Sequence, residues 1–179
     1  MRTLPVALGL ALLAAPALQA GEDPIRLSGQ VTLNLPTQDL GRDLDHQPGY
    51  GLGIHGLHRH GDHHTSRTRL DWNVWAQGPA VNGVKTQVNN YHLAFDHLYH
   101  FQEAGTGPYL VGGLGAVRWF VDQDAAGVRF RSHTTKLGVT AGAGWQFNRT
   151  AGLEVRALVG SRDHTFDATT VQAAFTFRF

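Results

Sequence analysis

Apolar and polar residues alternate along most of this chain, and the pattern is clearest in the last eleven residues, Thr169 to Phe179. One side of this segment carries Val171, Ala173, Phe175, Phe177 and Phe179, and the other carries Thr170, Gln172, Ala174, Thr176 and Arg178. Successive side chains of an extended chain point to opposite faces. The pattern therefore predicts a strand with one apolar face and one polar face.

The same period of two recurs in seven earlier segments, separated by polar or glycine- and proline-rich connections. The eight predicted strands cover about residues 27–35, 49–59, 67–77, 87–97, 109–121, 133–147, 151–160 and 169–179. Longer loops follow the odd-numbered strands, and tighter turns follow the even-numbered ones. Strands of about ten residues cross a bilayer when tilted, and eight is a common number for a closed membrane barrel. The pattern predicts an all-β fold: an eight-stranded antiparallel up-and-down transmembrane β-barrel with its loops outside the cell.

The first twenty residues follow a different pattern. Arg2 precedes an almost wholly apolar stretch from Leu4 to Ala17, and small residues follow as far as Ala20. This arrangement is typical of a secretory signal peptide, which is shorter than a membrane-spanning helix. We therefore expect residues 1–20 to be a cleaved signal peptide and residues 21–179 to form the barrel domain. Export of a barrel predicts localisation in the bacterial outer membrane.

Composition narrows the function classes only slightly. The chain has no cysteine, so neither a disulfide framework nor thiol chemistry is available. The formal net charge of +1 argues against nucleic-acid binding. Twenty-two glycines suit turns and a closely packed sheet better than a helical bundle. The sequence indicates no cofactor.

Charged residues occupy the polar positions of the predicted strands, which face the lumen. They are Arg69, Asp71, Asp96, Arg118, Lys136, Glu154, Arg156 and Arg178. An eight-stranded barrel is only wide enough for its own side chains, and isolated charges inside it are unfavourable. We expect Arg69 to pair with Asp96 and Glu154 to pair with Arg178, in a structural ion-pair network that plugs the lumen. For Arg118 and Arg178 the competing interpretation is that they reach solvent at the mouths.

Large aromatic residues at outward strand positions fit the aromatic girdles of membrane barrels. They are Tyr50, Trp72, Tyr91, Trp119, Trp145 and Phe179. A soluble sandwich would use the same residues as ordinary core aromatics.

Two glycine-patterned segments and the terminal aromatic strand carry a resemblance to a known family. They are Pro108–Gly115 (PYLVGGLG), Leu137–Trp145 (LGVTAGAGW) and the F-x-F-x-F of Phe175, Phe177 and Phe179. Together they resemble small outer-membrane β-barrels of the OmpA-like and opacity-porin-like group, over essentially the whole mature chain. The resemblance implies a transient contact with the outer-membrane assembly machinery, which reads the terminal aromatics. We expect a monomer surrounded by outer-membrane lipids and lipopolysaccharide.

A histidine-rich turn is the one unusual feature. The segment HRHGDHH contains His58, His60, Asp62, His63 and His64, and His97 and His100 flank the next turn. Imidazoles at this density bind zinc, copper or nickel, and Asp62 adds an oxygen ligand, so these five residues are a candidate weak metal site. The spacing matches no fixed ligand pattern, which favours polar turn filling. A response to pH is a third interpretation of the same residues.

The predicted role is structural or surface-interacting, and not enzymatic. A competing hypothesis is a lipid A-modifying barrel enzyme, for which Ser132 with His133, or Ser161 with His164 and Asp163 or Asp167, are the candidates. Adjacent residues point to opposite faces of a strand, and no G-x-S-x-G motif is present. The alternating pattern is also compatible with a narrow porin for small solutes and with a soluble lipocalin-type barrel.

Overall fold

The computed structural model describes residues 25–77, 80, 83–102, 106–125, 127–160 and 166–179. The predicted signal peptide, residues 1–20, lies outside these residues, so its cleavage stays a prediction.

Eight antiparallel strands close into one barrel in the order of the sequence. They are β1 Arg26–Pro36, β2 Gly49–His60, β3 His64–Trp75, β4 Val84–His100, β5 Gly107–Ala125, β6 Val128–Gln146, β7 Ala151–Gly160 and β8 Thr170–Arg178. The last strand pairs with the first, from Pro36 opposite Thr170 to Ser28 opposite Arg178. The predicted fold class is confirmed. The main difference in strand length is that β4, β5 and β6 are longer than expected, at 17, 19 and 19 residues.

The barrel has an apolar outside and a largely polar inside, as the alternation predicts. On β1, Val31 and Leu33 are exposed while Gln30 and Asn34 are buried. Large exposed apolar side chains occur on all eight strands, which in water would be an extensive adhesive surface. A closed barrel satisfies its backbone hydrogen bonds internally, so this surface suits contact with lipid tails.

A short helix, α1, spans Gln38–Asp43 where the sequence analysis predicts a loop. Leu40 and Leu44 are four residues apart, so they lie on one face of the turn, and both are buried. Backbone bonds attach this segment to the connection before β8: Leu40 N donates to Asp167 O at 3.2 Å. The acidic residues around the two leucines make the segment look wholly polar in the sequence. No helix in the described ranges is long and apolar enough to span a membrane.

The orientation of β5 corrects the sequence analysis. Trp119, predicted to be an outward interfacial anchor, faces the lumen and is buried, and Arg118, predicted to face the lumen, is exposed on the outside. Both faces of β5 carry apolar residues, so alternation alone does not identify the inner one. Hydrogen-bonded register identifies it, because Arg118 lies opposite the outward Tyr91 of β4.

Three strands extend beyond their neighbours at the end of the barrel that carries α1, which we call the loop end. The last pair between β3 and β4 is Trp75 with Val88, and the last between β6 and β7 is Gly138 with Gly160. We call the extension the projection; it comprises residues 84–87, 122–125 and 128–137. In the described part of the chain, residues 128–137 pair with β5 on one side only.

Candidate functional site in the barrel lumen

Six charged side chains meet in the middle of the lumen, and we call them the charge layer. They are Arg67, Arg69 and Asp71 of β3, Asp96 of β4, and Glu154 and Arg156 of β7. Alternate residues of a strand share a face, so the spacing of two along β3 and β7 directs all of them inward. Each side chain is at most 2% exposed. Three guanidinium groups face three carboxylates, so the formal charges of the layer cancel.

Arg67 joins the two sides of the barrel. Its Nε donates to Asp96 Oδ2 at 2.9 Å, and its Nη1 and Nη2 donate to the two oxygens of Glu154 at 2.7 and 3.0 Å. The pair with Glu154 is bidentate, which is the strongest geometry for a guanidinium and a carboxylate. Arg69 donates from Nε to the same Asp96 oxygen at 2.9 Å, and from Nη1 to Asp71.

Arg156 completes the layer from β7. It donates from Nη1 to Glu154 Oε1 at 2.6 Å and from Nη2 to Asp71 Oδ2 at 3.4 Å. Its Nε donates to Gln172 Oε1 at 2.7 Å, and Nη1 also reaches Gln30 Oε1 at 3.1 Å. Arg156 therefore has both charged and neutral acceptors around one guanidinium group.

Neutral polar residues bind the remaining lone pairs of the three carboxylates. Tyr109 OH donates to Glu154 Oε2 at 2.9 Å, Thr140 Oγ1 donates to Asp96 Oδ1 at 3.0 Å, and Gln30 Nε2 donates to Asp71 Oδ1 at 2.7 Å. An amide cluster continues toward the loop end, formed by Asn34, Asn73, Asn90 and Gln172. Buried charges persist in a low-dielectric interior when they are paired and hydrogen-bonded in this way.

An apolar cap covers the charge layer at the loop end. The rings of Trp75 and Trp119 lie with centroids 6.0 Å apart, and Leu158 packs with them. Leu40 and Leu44 of the α1 segment belong to the same buried cluster. The α1 segment thus lies over the loop end of the lumen, and the two tryptophans pack against each other in the same buried cluster.

The lumen differs from the predicted ion-pair network in one of its pairs and in its membership. Five of the predicted residues form the layer, and Arg69 does lie against Asp96. The predicted pair of Glu154 and Arg178 is wrong: Glu154 lies opposite Ala174 of β8, so Arg178 is four residues, or about 13 Å, further along. Lys136 is half-exposed at the loop end, outside the layer, and Arg118 faces outward.

Arg67 is the layer residue that the sequence analysis misses. It stands at the start of the predicted third strand, where a basic residue is easily taken for a solvent-exposed end. The signal that identifies it is its spacing, since Arg67, Arg69 and Asp71 follow one another at every second position.

The histidine-rich turn does not assemble the predicted metal site. Asp62 lies 3.4 Å from Arg59, and His63 bonds the backbone oxygen of His100 at 2.9 Å. His60 Nε2 lies 2.8 Å from Ser66 Oγ. Within the described ranges no three histidine or acidic side chains converge on a point that could hold a metal ion. His58, His60 and His64 lie on the outer face of β2 and β3, whereas Asp62 and His63 belong to the turn between the strands and bond other groups.

Two of the remaining predicted sites lie at exposed positions. Phe175 and Phe179 are exposed on the outer face of the C-terminal segment, and their role as an assembly signal stays a prediction. Ser132 and His133 are neighbours on β6 and so point to opposite faces. The second set of serine–histidine candidates, Ser161, Asp163 and His164, lies outside the described residues.

Comparison with known proteins gives a family and a set of similar folds. The family described as outer membrane protein beta-barrel domain matches residues 6–179. No curated protein sequence matches the chain significantly.

Solved structures of small outer-membrane barrels resemble this one at low sequence identity. Ail, the attachment invasion locus protein of Yersinia pestis, has a TM-score of 0.64 and 14% identity, with 87% of this chain and 97% of that chain covered. The N-terminal β-barrel domain of Pseudomonas aeruginosa OprF has a TM-score of 0.62 and 14% identity, with 86% and 97% covered. Neisserial surface protein A has a TM-score of 0.55 and 14% identity, with 89% and 100% covered. By its match over nearly the full length, the chain belongs to the outer membrane protein β-barrel family.

Proposed function

We propose that the protein is a non-conducting outer-membrane barrel that acts at the cell surface through its projection. The observation that carries the proposal is the charge layer, in which buried guanidinium and carboxylate groups bind one another across the lumen. A barrel that passed solutes would have to separate these groups at each passage. Outer-membrane lipids and lipopolysaccharide are proposed to surround the barrel, and the protein is proposed to be monomeric.

The energetic argument for a closed lumen rests on the cost of separating buried charges. Removing one partner from a buried ion pair costs about 3–5 kcal/mol, because the other charge is left unpaired. Arg67 binds Asp96 of β4 and Glu154 of β7 at once. Arg156 of β7 binds Asp71 of β3, so opening a path between these strands requires buried ion pairs to break. The apolar cap adds a second barrier at the loop end.

Planar-bilayer recording tests the closed lumen. The purified barrel is expected to show no steady current, because the ion pairs of the charge layer cross the lumen. A variant with Leu40→Asp and Leu44→Asp, which disrupts the apolar cap, is expected to stay closed, because the layer lies below the cap. A wide porin in the same bilayer serves as the positive control. A steady, voltage-independent conductance from the unmodified protein would refute the proposal.

The surface role rests on the projection, where residues 128–137 of β6 form a strand edge that has no partner among the described residues. Exposed backbone groups at an edge pair readily with an extended segment of another chain. Along this edge, Val128 and Phe130 expose apolar side chains on one face, while Arg129 and Arg131 lie on the other. A partner strand that alternates apolar and acidic residues would complement both faces. Attachment, which the name of Ail refers to, is the kind of role that we propose.

Cell adhesion tests the surface role. Bacteria that display the protein are expected to adhere to cultured epithelial cells, and Thr134→Pro should reduce the adhesion severalfold, because proline blocks pairing along an edge. Thr135→Ala, one residue away, keeps the backbone donor and serves as the matched control. Chemical labelling of intact cells checks that the surface amounts are equal, and heat-modifiability on a gel checks that both variants fold. Unchanged adhesion of the proline variant would rule out the edge as the contact.

A further inference from the structure

A patch of four histidines lies on the outer face of β2, β3 and β4, at the end of the barrel opposite the projection. His58 and His60 lie on β2, His64 on β3 and His97 on β4. The strand register brings them together, because His60 is opposite His64 and Ser66 lies between His58 and His97. In single-chain outer-membrane barrels the short turns face the periplasm, so this patch is at the periplasmic rim.

Two of the four imidazoles touch through their ring nitrogens. His64 Nδ1 lies 3.1 Å from His97 Nε2, and both side chains are exposed. The ring of Tyr99 packs edge-on against His64, with centroids 5.3 Å apart, which limits the freedom of that imidazole. His58 and His60 are engaged with each other, at a ring-centroid distance of 4.4 Å, and His60 also bonds Ser66.

We propose that His64 and His97 form a two-ligand site for a divalent late transition-metal ion, such as zinc or copper. Imidazole nitrogens bind zinc at about 2.0–2.1 Å, so two of them 3.1 Å apart subtend about 100° at a shared ion. That angle lies between the square and the tetrahedral values. The nitrogens are therefore already spaced as two ligands of one metal ion, and water completes the coordination.

The chemistry of the two ligands determines which ions fit the site. Imidazole suits zinc, copper and nickel, whereas magnesium and calcium prefer oxygen ligands. The hydrogen bond between the two nitrogens needs a proton on one of them, and when the ion binds that proton moves to the other nitrogen of the same ring, so both imidazoles bind the metal as neutral ligands. Because β3 and β4 are adjacent strands, the bound ion links them across the sheet next to the turn.

Calorimetric titration of the tag-free protein in detergent micelles with zinc chloride tests the site. We expect one zinc ion per barrel, and His97→Gln or His64→Gln should weaken the affinity by at least about tenfold, because a direct ligand is lost. The double variant should be little weaker than either single variant, because one remaining ligand cannot chelate. His63→Gln is the matched control: it lies in the same turn but bonds a backbone oxygen.

A second measurement tests the same site without relying on heat signals. Copper added to the unmodified protein should give an electron paramagnetic resonance spectrum with splitting from two nitrogens, and His97→Gln should reduce it to one. Heat-modifiability of each variant on a gel shows that the barrel is intact. The proposal is overturned by absent stoichiometric binding, by unchanged affinity in both single variants, or by an equal loss in His63→Gln.

Discussion

Replacing Glu154 with alanine is expected to lower the free energy of unfolding by about 3–5 kcal/mol, the cost of leaving buried charges without a partner. Glu154 accepts a bidentate pair from Arg67 and a further bond from Arg156 at 2.6 Å. It also accepts the hydroxyl of Tyr109. The side chains of Arg67 and Arg156 are at most 2% exposed, so water does not replace the hydrogen bonds that the two guanidinium groups lose. Urea unfolding of the barrel in lipid vesicles measures the effect.

The matched control is an ion pair on the projection. Asp122 lies 3.3 Å from Arg131, and their side chains are 40% and 70% exposed. An exposed pair of this kind contributes about 0–1 kcal/mol, so Asp122→Asn should leave the urea midpoint almost unchanged. Equal losses of unfolding free energy in the two variants would mean that water enters the lumen and screens its charges. That result would also remove the physical basis of the closed-lumen proposal.

Strand alternation was sufficient to predict most of the barrel. On β7, apolar Leu153 and Val155 alternate with Glu154 and Arg156, and the structure exposes the first two and buries the second two. Such a strand has only one arrangement that keeps charge away from lipid. Where one face is apolar and the other polar, the number, order and orientation of strands therefore follow from the sequence.

Alternation fails where both faces of a strand are apolar or where contacts cross the lumen. Trp119 faces inward because Trp75 of β3 and the leucines of the α1 segment form a second apolar interior at the loop end, into which Trp119 packs. The bond between Arg67 and Glu154 joins residues 87 apart on strands that are not neighbours. Reasoning about adjacent strands predicts Arg69 with Asp96, but pairs across the barrel depend on its closure and stagger.

Replacing Gly142 of β6 or Gly112 of β5 with alanine should change the free energy of unfolding in opposite directions. A Cβ on Gly142 would lie 2.6 Å from Cα of Arg156 on the adjoining strand, a distance that the backbone must shift to relieve. A Cβ on Gly112 would meet nothing within 4 Å, because that residue faces outward. The absence of a side chain at Gly142 therefore lets β7, which carries Glu154 and Arg156, approach β6 closely. At Gly112 no neighbouring atom depends on the absence of a side chain.

We expect Gly142→Ala to destabilise the barrel by about 1–3 kcal/mol through overpacking against β7. Gly112→Ala should instead stabilise it by about 0.4–1 kcal/mol, because alanine restricts the unfolded chain without strain in the folded one. Urea unfolding in vesicles, with the same lipid for both variants, measures the two shifts. Shifts of the same sign would contradict the inward placement of Gly142. Arg156 lies directly opposite Gly142. If Arg156 and Glu154 are both replaced by leucine, β7 is no longer fixed by the charge layer and can move away from β6. The destabilisation caused by Gly142→Ala should then be smaller.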